Sequence, residues 1–158
     1  MKKILALALV FTVLFAGCSK DDDKCTYDTC GLKAPDAEIA AVQAHITSKG
    51  ITAEKHCSGV FYTLENAGTG KNPTPCSNIL IKYKGYLTDG TVFDQAANPV
   101  AFNLGGLING WRSVLPIVKA GGRIVLYIPP SLGYGSRASG PIPANSIIIF
   151  EIDLVDVQ

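Results

Sequence analysis

The sequence predicts an antiparallel α+β domain, with one short helix covering the apolar face of a sheet and a further helix ahead of it. Three observations carry this. From Gly59 onward apolar residues alternate with polar ones in several runs, the period of half-buried strands. In that half, helical spacing occurs clearly only after Asn109, and Pro116 limits that helix to about two turns. Tight-turn residues separate the strands, Asp89-Gly90 above all.

The chain starts with an address. Lys2 and Lys3 precede an apolar run from Ile4 to Phe15. That is the length of a signal-peptide core and too short to span a bilayer as a helix. Leu14-Phe15-Ala16-Gly17-Cys18 resembles a bacterial lipobox, with Phe15 where Leu is usual. The resemblance implies cleavage before Cys18, lipidation of Cys18 and an outer-membrane anchor. An ordinary secretory signal is the other reading. The charge run from Ser19 to Lys24 reads as a solvated tether. It also resembles the acidic surface-export signal that follows the lipid cysteine in some lipoproteins. On the first reading the domain faces the periplasm, on the second the cell surface.

Loss of residues 1–17 removes Lys2 and Lys3 and takes the formal charge from +1 to −1. Such a balance, with no Lys/Arg-rich tract, argues against nucleic-acid binding. Four cysteines remain, Cys25, Cys30, Cys57 and Cys76, and an even number in an exported chain predicts two disulfides. Three pairings are open. Cys25–Cys30 within a short loop and Cys57–Cys76 around one strand-loop unit are favoured. Zinc is the rival reading, but the two histidines, His45 and His56, and the cysteines lack CxxC or HxxxH spacing, so no metal is expected.

Residues 18–34 read as a lipid-anchored linker with a small cysteine-closed loop, and 35–57 as a helix and connector. Pro35 suits a first helical position, Asp36 and Glu38 the first turn, and Gly50 a stop. Ile39, Val42 and Ile46 give this helix one apolar stripe, with His45 at the surface; it reads as a packing or spacer element. The main domain, 58–158, starts with a strand alternating Val60, Tyr62 and Leu64 with Phe61, Thr63 and Glu65. A turn-rich loop, 67–75, leads to a second strand with Ile79, Ile81 and Tyr83 on one side. The Asp89-Gly90 turn follows. Extended chain at 92–94 is broken by Asn98-Pro99 and resumes at 100–104.

Asn109 then caps the short helix, whose Trp111, Val114, Leu115 and Val118 share one face. Ile124, Leu126 and Ile128 mark a strand that Pro129-Pro130 stops. A Gly-, Ser- and Pro-rich loop covers 131–146, and Ile148, Phe150, Ile152 and Leu154 mark a last strand. Trp111, Val114, Leu115 and Val118 are expected to pack on Ile81, Leu126 and Ile148.

A set of local motifs lies in one order along this half. They are Lys82-Tyr83-Lys84-Gly85, Asp89-Gly90-Thr91-Val92-Phe93-Asp94, Ile108-Asn109-Gly110-Trp111, Gly121-Gly122-Arg123, Ile128-Pro129-Pro130-Ser131-Leu132-Gly133-Tyr134-Gly135, and Ile142-Pro143-Ala144-Asn145-Ser146 before Phe150-Glu151. Together they resemble the FKBP-type peptidyl-prolyl cis-trans isomerases over about residues 58–157. The resemblance implies an antiparallel β-sheet wrapped on one short α-helix, an apolar cup for a proline ring, and no cofactor. It implies Trp111 as the floor and Tyr83, Phe93 and Phe150 as walls. Val100, Leu107 and Ile108 would add apolar surface. The Ile108 N–H and the Tyr134 hydroxyl would meet substrate carbonyls, with Asp94 polar at the rim. Val100 is smaller than the aromatic many relatives carry, and Ala144 replaces the second proline of the common Ile-Pro-Pro run. Both departures bear on peptide selectivity. The partners implied are proline-containing peptides and folding proteins, with macrolide inhibitors as further ligands.

Taken singly, Trp111 or Phe150 is an ordinary core residue and Asp94 an ordinary turn carboxylate; the joint pattern makes a site. The chemistry suits it, because rotating an X-Pro bond breaks amide resonance and no covalent bond. A peptide-binding or chaperone module without turnover is the alternative function, and a surface assembly scaffold a third. Hydrolase chemistry is disfavoured, since no Gly-x-Ser-x-Gly run is present.

Overall fold

In the computed structural model, residues 25–158 are described; the expected signal segment 1–17, the expected lipidation at Cys18 and the expected tether to Lys24 lie outside them. Helix α1 (Asp36–Ser48) comes first, then strands β1 (Glu54–Lys55), β2 (Phe61–Asn66), β3 (Asn78–Leu87) and β4 (Val92–Asn103). Helix α2 (Asn109–Val114), β5 (Gly122–Ile128) and β6 (Ile148–Val157) complete the chain. The strands form one six-stranded sheet in the order β1-β2-β5-β6-β3-β4, and every pairing is antiparallel.

Period-2 alternation gives this sheet two apolar faces. On the inner face Ile81, Ile124, Leu126, Ile128, Ile148, Phe150 and Ile152 pack with Trp111 and Val114 of α2, as the sequence predicts. They also pack with Leu115 and Val118, which lie beyond the end of α2, Leu115 in a 3-10 turn and Val118 in extended chain. On the outer face Phe61, Val125, Tyr127 and Ile149 meet Val42 and Ile46 of α1. Helix α1 is therefore an integral second cover for the sheet. Its end follows the expected stop: Gly50 takes φ +64°, and the Ile51 N–H donates to the Ile46 carbonyl.

Two local readings are corrected. Asn98-Pro99 does not break β4. Ala96 pairs with Tyr83 and Val100 with Ile81, so residues 97–99 bulge opposite Lys82. An edge strand tolerates this because Pro99 owes no ladder hydrogen bond there. Asn109 is the first residue of α2; the cap position is Ile108, whose carbonyl accepts from the Trp111 and Arg112 N–H groups.

The cysteine pairing is also different. All four cysteines are bonded, but as Cys25–Cys76 and Cys30–Cys57, not as Cys25–Cys30 and Cys57–Cys76. The reason is the path of residues 25–34. The Ala34 N–H donates to the Ser58 carbonyl, and Tyr27 lies against Arg112 of α2. That course sets Cys30 beside Cys57 and Cys25 beside Cys76, at Cα separations of 5.4 and 5.7 Å. Proximity along the chain is a poor guide once a segment doubles back over the domain.

Candidate active site

Four separate segments bring their rings to one place on the inner face. Phe150 comes from β6, Tyr83 from β3, Trp111 from α2 and Phe93 from β4. The Trp111 and Phe150 centroids lie 4.8 Å apart at 87°, and those of Tyr83 and Trp111 5.6 Å apart at 78°. Phe93 meets Phe150 at 5.4 Å and 88°. These edge-to-face contacts fix each ring by its neighbours. Gly85 makes the arrangement possible, because a Cβ there would lie 2.6 Å from Phe150 and 2.7 Å from Phe93. Gly110 does the same for α2, where a Cβ would lie 2.7 Å from Ile128.

The rings enclose an open cavity of about 210 Å³. Trp111, 4% exposed, lies at its base, and Tyr134, 39% exposed, stands at its mouth. Tyr83, Phe150, Leu107, Ile108 and Asp94 also line it, as the sequence predicts. Phe93 stands behind this lining, bracing Phe150 and meeting Tyr134 edge-on at 6.3 Å. Val100 packs against the core and does not line the cavity; Phe102, two residues on, lines it and meets Tyr83 at 6.2 Å. Sequence reasoning missed Phe102. Alternation along β4 carries the signal, because Val100 and Phe102 share a face.

The polar groups are few. The Tyr83 hydroxyl donates to Asp94 Oδ2 at 2.7 Å. Burial, then the hydrogen bond to Asp94 and its charge, push the Tyr83 phenol up to about 12. Burial and the Asp94 charge raise Tyr134 as well. Both hydroxyls therefore stay protonated donors at neutral pH. The Ile108 N–H has no hydrogen-bond partner among the described residues. Neither has the buried Trp111 Nε1. Glu38 of α1 steadies the mouth by accepting from the Ser131 N–H at 2.9 Å, where the Tyr134 loop begins.

The lining holds no Ser, Cys, His or Lys. Elsewhere, Cys30, His56 and Cys57 come close enough to suggest a metal, but the two sulfurs are bonded to one another. The site is a largely apolar cup with phenol donors and a carboxylate, on an antiparallel sheet closed over a short helix, and its lining has room for a compact apolar ring.

The family description "FKBP-type peptidyl-prolyl cis-trans isomerase" matches residues 70–155. The FKBP-type peptidyl-prolyl cis-trans isomerase FkpA of Buchnera aphidicola (from Schizaphis graminum) is 42% identical over 70% of this chain and 44% of its own length. The crystal structure of FkpA from Escherichia coli matches with TM-score 0.70 and 33% identity, over 78% of this chain and 60% of that one. A peptidyl-prolyl cis-trans isomerase from Pseudomonas syringae matches with TM-score 0.69 and 30% identity, over 81% of this chain and 99% of that one. The chain belongs to the FKBP-type peptidyl-prolyl cis-trans isomerase family. It spans less than half the length of the FkpA relatives it matches in sequence.

Proposed function

We propose that this chain is a peptidyl-prolyl cis-trans isomerase acting on X-Pro bonds of exported proteins, and that the aromatic cup is its reaction site. The observation that carries the reading is the convergence of Tyr83, Trp111 and Phe150, with Trp111 edge to face against both of the others, on a cavity open to solvent. Trp111 supports the proline ring from below. Tyr83 and Phe150 are its walls, Phe93 holds Phe150, and Leu107 and Phe102 widen the apolar surface. The Ile108 N–H and the Tyr134 hydroxyl each donate to a substrate carbonyl. Asp94 fixes the Tyr83 hydroxyl at the rim.

The mechanism needs no nucleophile. The planar amide carries charge separation that water stabilises, while the twisted amide is less conjugated and less polar. A cup that excludes water binds the twisted form in preference, and preferential binding of that form is catalysis. The uncatalysed barrier is about 18–20 kcal/mol. Lowering it by about 5 kcal/mol gives an acceleration of a thousand- to ten-thousand-fold.

Export is supported by the two disulfides, which form and persist in oxidising compartments. The lipobox-like run before Cys18 supports a lipid anchor on that residue. Among the described residues no helix is long and apolar enough to cross a membrane. The family's macrolide inhibitors are proposed as competing ligands of the same cup. Cis/trans exchange of a proline tetrapeptide, followed with and without the oxidised chain, tests the activity: acceleration is expected. Equal rates together with peptide binding would replace it by the binding-module reading.

A further inference from the structure

We propose that Tyr27 is a positioning residue for the reaction, and that the N-terminal arm carrying it straps down the helix that bears Trp111. The proposal rests on the reading that the cup is the reaction site. The Tyr27 ring lies against the Arg112 guanidinium, whose carbon is 3.9 Å from the ring centroid. The Tyr27 hydroxyl is 3.2 Å from Ser113 Oγ. Arg112 and Ser113 are the two residues directly after Trp111 on α2.

Both contacts have a physical reason to hold. Ser113 is 1% exposed, and a buried hydroxyl costs free energy unless it is hydrogen-bonded; Tyr27 supplies the partner. Arg112 Nε is buried without a hydrogen bond among the described residues, and the aromatic face of Tyr27, stacked on the guanidinium, offers it a cation–π contact instead. Helix α2 has six residues, too few to hold its shape unaided, so its placement comes from what it touches.

The arm is itself anchored on both sides of Tyr27. Cys25 is bonded to Cys76 and Cys30 to Cys57. The Cys76 carbonyl accepts from Asn103 Nδ2, next to the 3-10 turn Leu104–Gly106 that leads into Leu107 and Ile108. The strap thus reaches the floor of the cup from α2 and from the segment that enters α2. Its function is to keep the Trp111 ring in the plane that the proline ring needs.

Trp111 is the one tryptophan of the chain, so its fluorescence reports the floor directly. In the oxidised full chain, Tyr27→Ala is expected to shift Trp111 emission to the red. It is also expected to lower kcat/KM for a proline tetrapeptide roughly three- to tenfold, since small misplacements of a site cost rate steeply. Tyr27→Phe keeps the stack and is expected to recover most of both. Arg112→Ala removes the same stack from the helix side and is expected to match Tyr27→Ala, which keeps the test open if one variant does not fold. Unchanged emission, or unchanged kcat/KM, in a folded Tyr27→Ala or Arg112→Ala chain overturns the proposal. Phe150→Leu in the same assay separates the two readings. Full rate there defeats the reading of the cup itself. Full rate for Tyr27→Ala beside an impaired Phe150→Leu defeats the strap alone.

Discussion

The Tyr83 hydroxyl reaches across from β3 to Asp94 Oδ2 on β4, at 2.7 Å, and ties the wall of the cup to its rim. The pair sits at the exposed edge of the site, so its role is placement more than stability. Tyr83→Phe keeps the ring and loses the tie. The expected result is a fall in kcat/KM of roughly fivefold, in line with a net hydrogen-bond worth of about 1 kcal/mol, with little change in melting temperature. Steady-state rates and a thermal melt on the same sample check this.

Alkaline pH gives a second prediction. The Tyr83 phenol rises from its ordinary 10 to about 12, by burial first and then by Asp94. Tyr86 rises to about 12 as well, by burial first and then by the charge of Glu151. Above pH 10 the unfolded chain releases these protons while the folded chain keeps them. The unfolded state then binds fewer protons, so stability falls as pH rises. The contribution is complete below pH 10 and is lost through about 12. Denaturant melts between pH 8 and 11 are expected to show this decline, and a Tyr83→Phe/Tyr86→Phe chain is expected to show a shallower one.

Gly85 is expected to tolerate no side chain. A Cβ at this position would lie 2.6 Å from a Phe150 ring atom and 2.7 Å from one of Phe93. Both rings must move to admit it. Gly85→Ala should destabilise the fold by about 1–3 kcal/mol, the range for overpacking. It should also lower kcat/KM more than Tyr83→Phe does, because two supports of the cup shift together. Side-by-side denaturant melts and rate assays decide it.

Helix α1 offers the opposite case. Ile46 is 2% exposed and packs on the outer face of the sheet, away from the cup. Ile46→Ala should cost about 2–5 kcal/mol of stability. At a temperature where the variant is folded, kcat/KM should match the parent chain. A selective loss of rate would mean that the outer cover reaches the site.

Much of this was legible in the sequence because periodicity reports faces. The spacing of Trp111, Val114, Leu115 and Val118 marks the buried side of α2 and of the 3-10 turn that follows it, and alternation marks Ile148, Phe150, Ile152 and Leu154 as inward on β6. Asp89-Gly90 marks the hairpin, where Gly90 takes φ +90°. What periodicity does not report is which distant segments meet. The cysteine pairing depended on residues 25–34 doubling back, which no local pattern announces. Asn98-Pro99 reads as a break, yet an edge strand absorbs it as a bulge. The resemblance gives Val100 as added apolar surface of the cup, while it is Phe102, two residues on along β4, that lines the cavity. Tyr27 gave no signal at all, since a lone tyrosine between two cysteines has no period.

The most direct test of the aromatic cup as reaction site follows exchange and Trp111 fluorescence together, in one titration of the oxidised chain with a proline tetrapeptide. The account predicts faster cis/trans exchange, with the Trp111 emission changing over the same range of peptide concentration. Accelerated exchange with Trp111 emission unmoved at saturation would contradict it, because catalysis would then occur away from the ring that floors the cup.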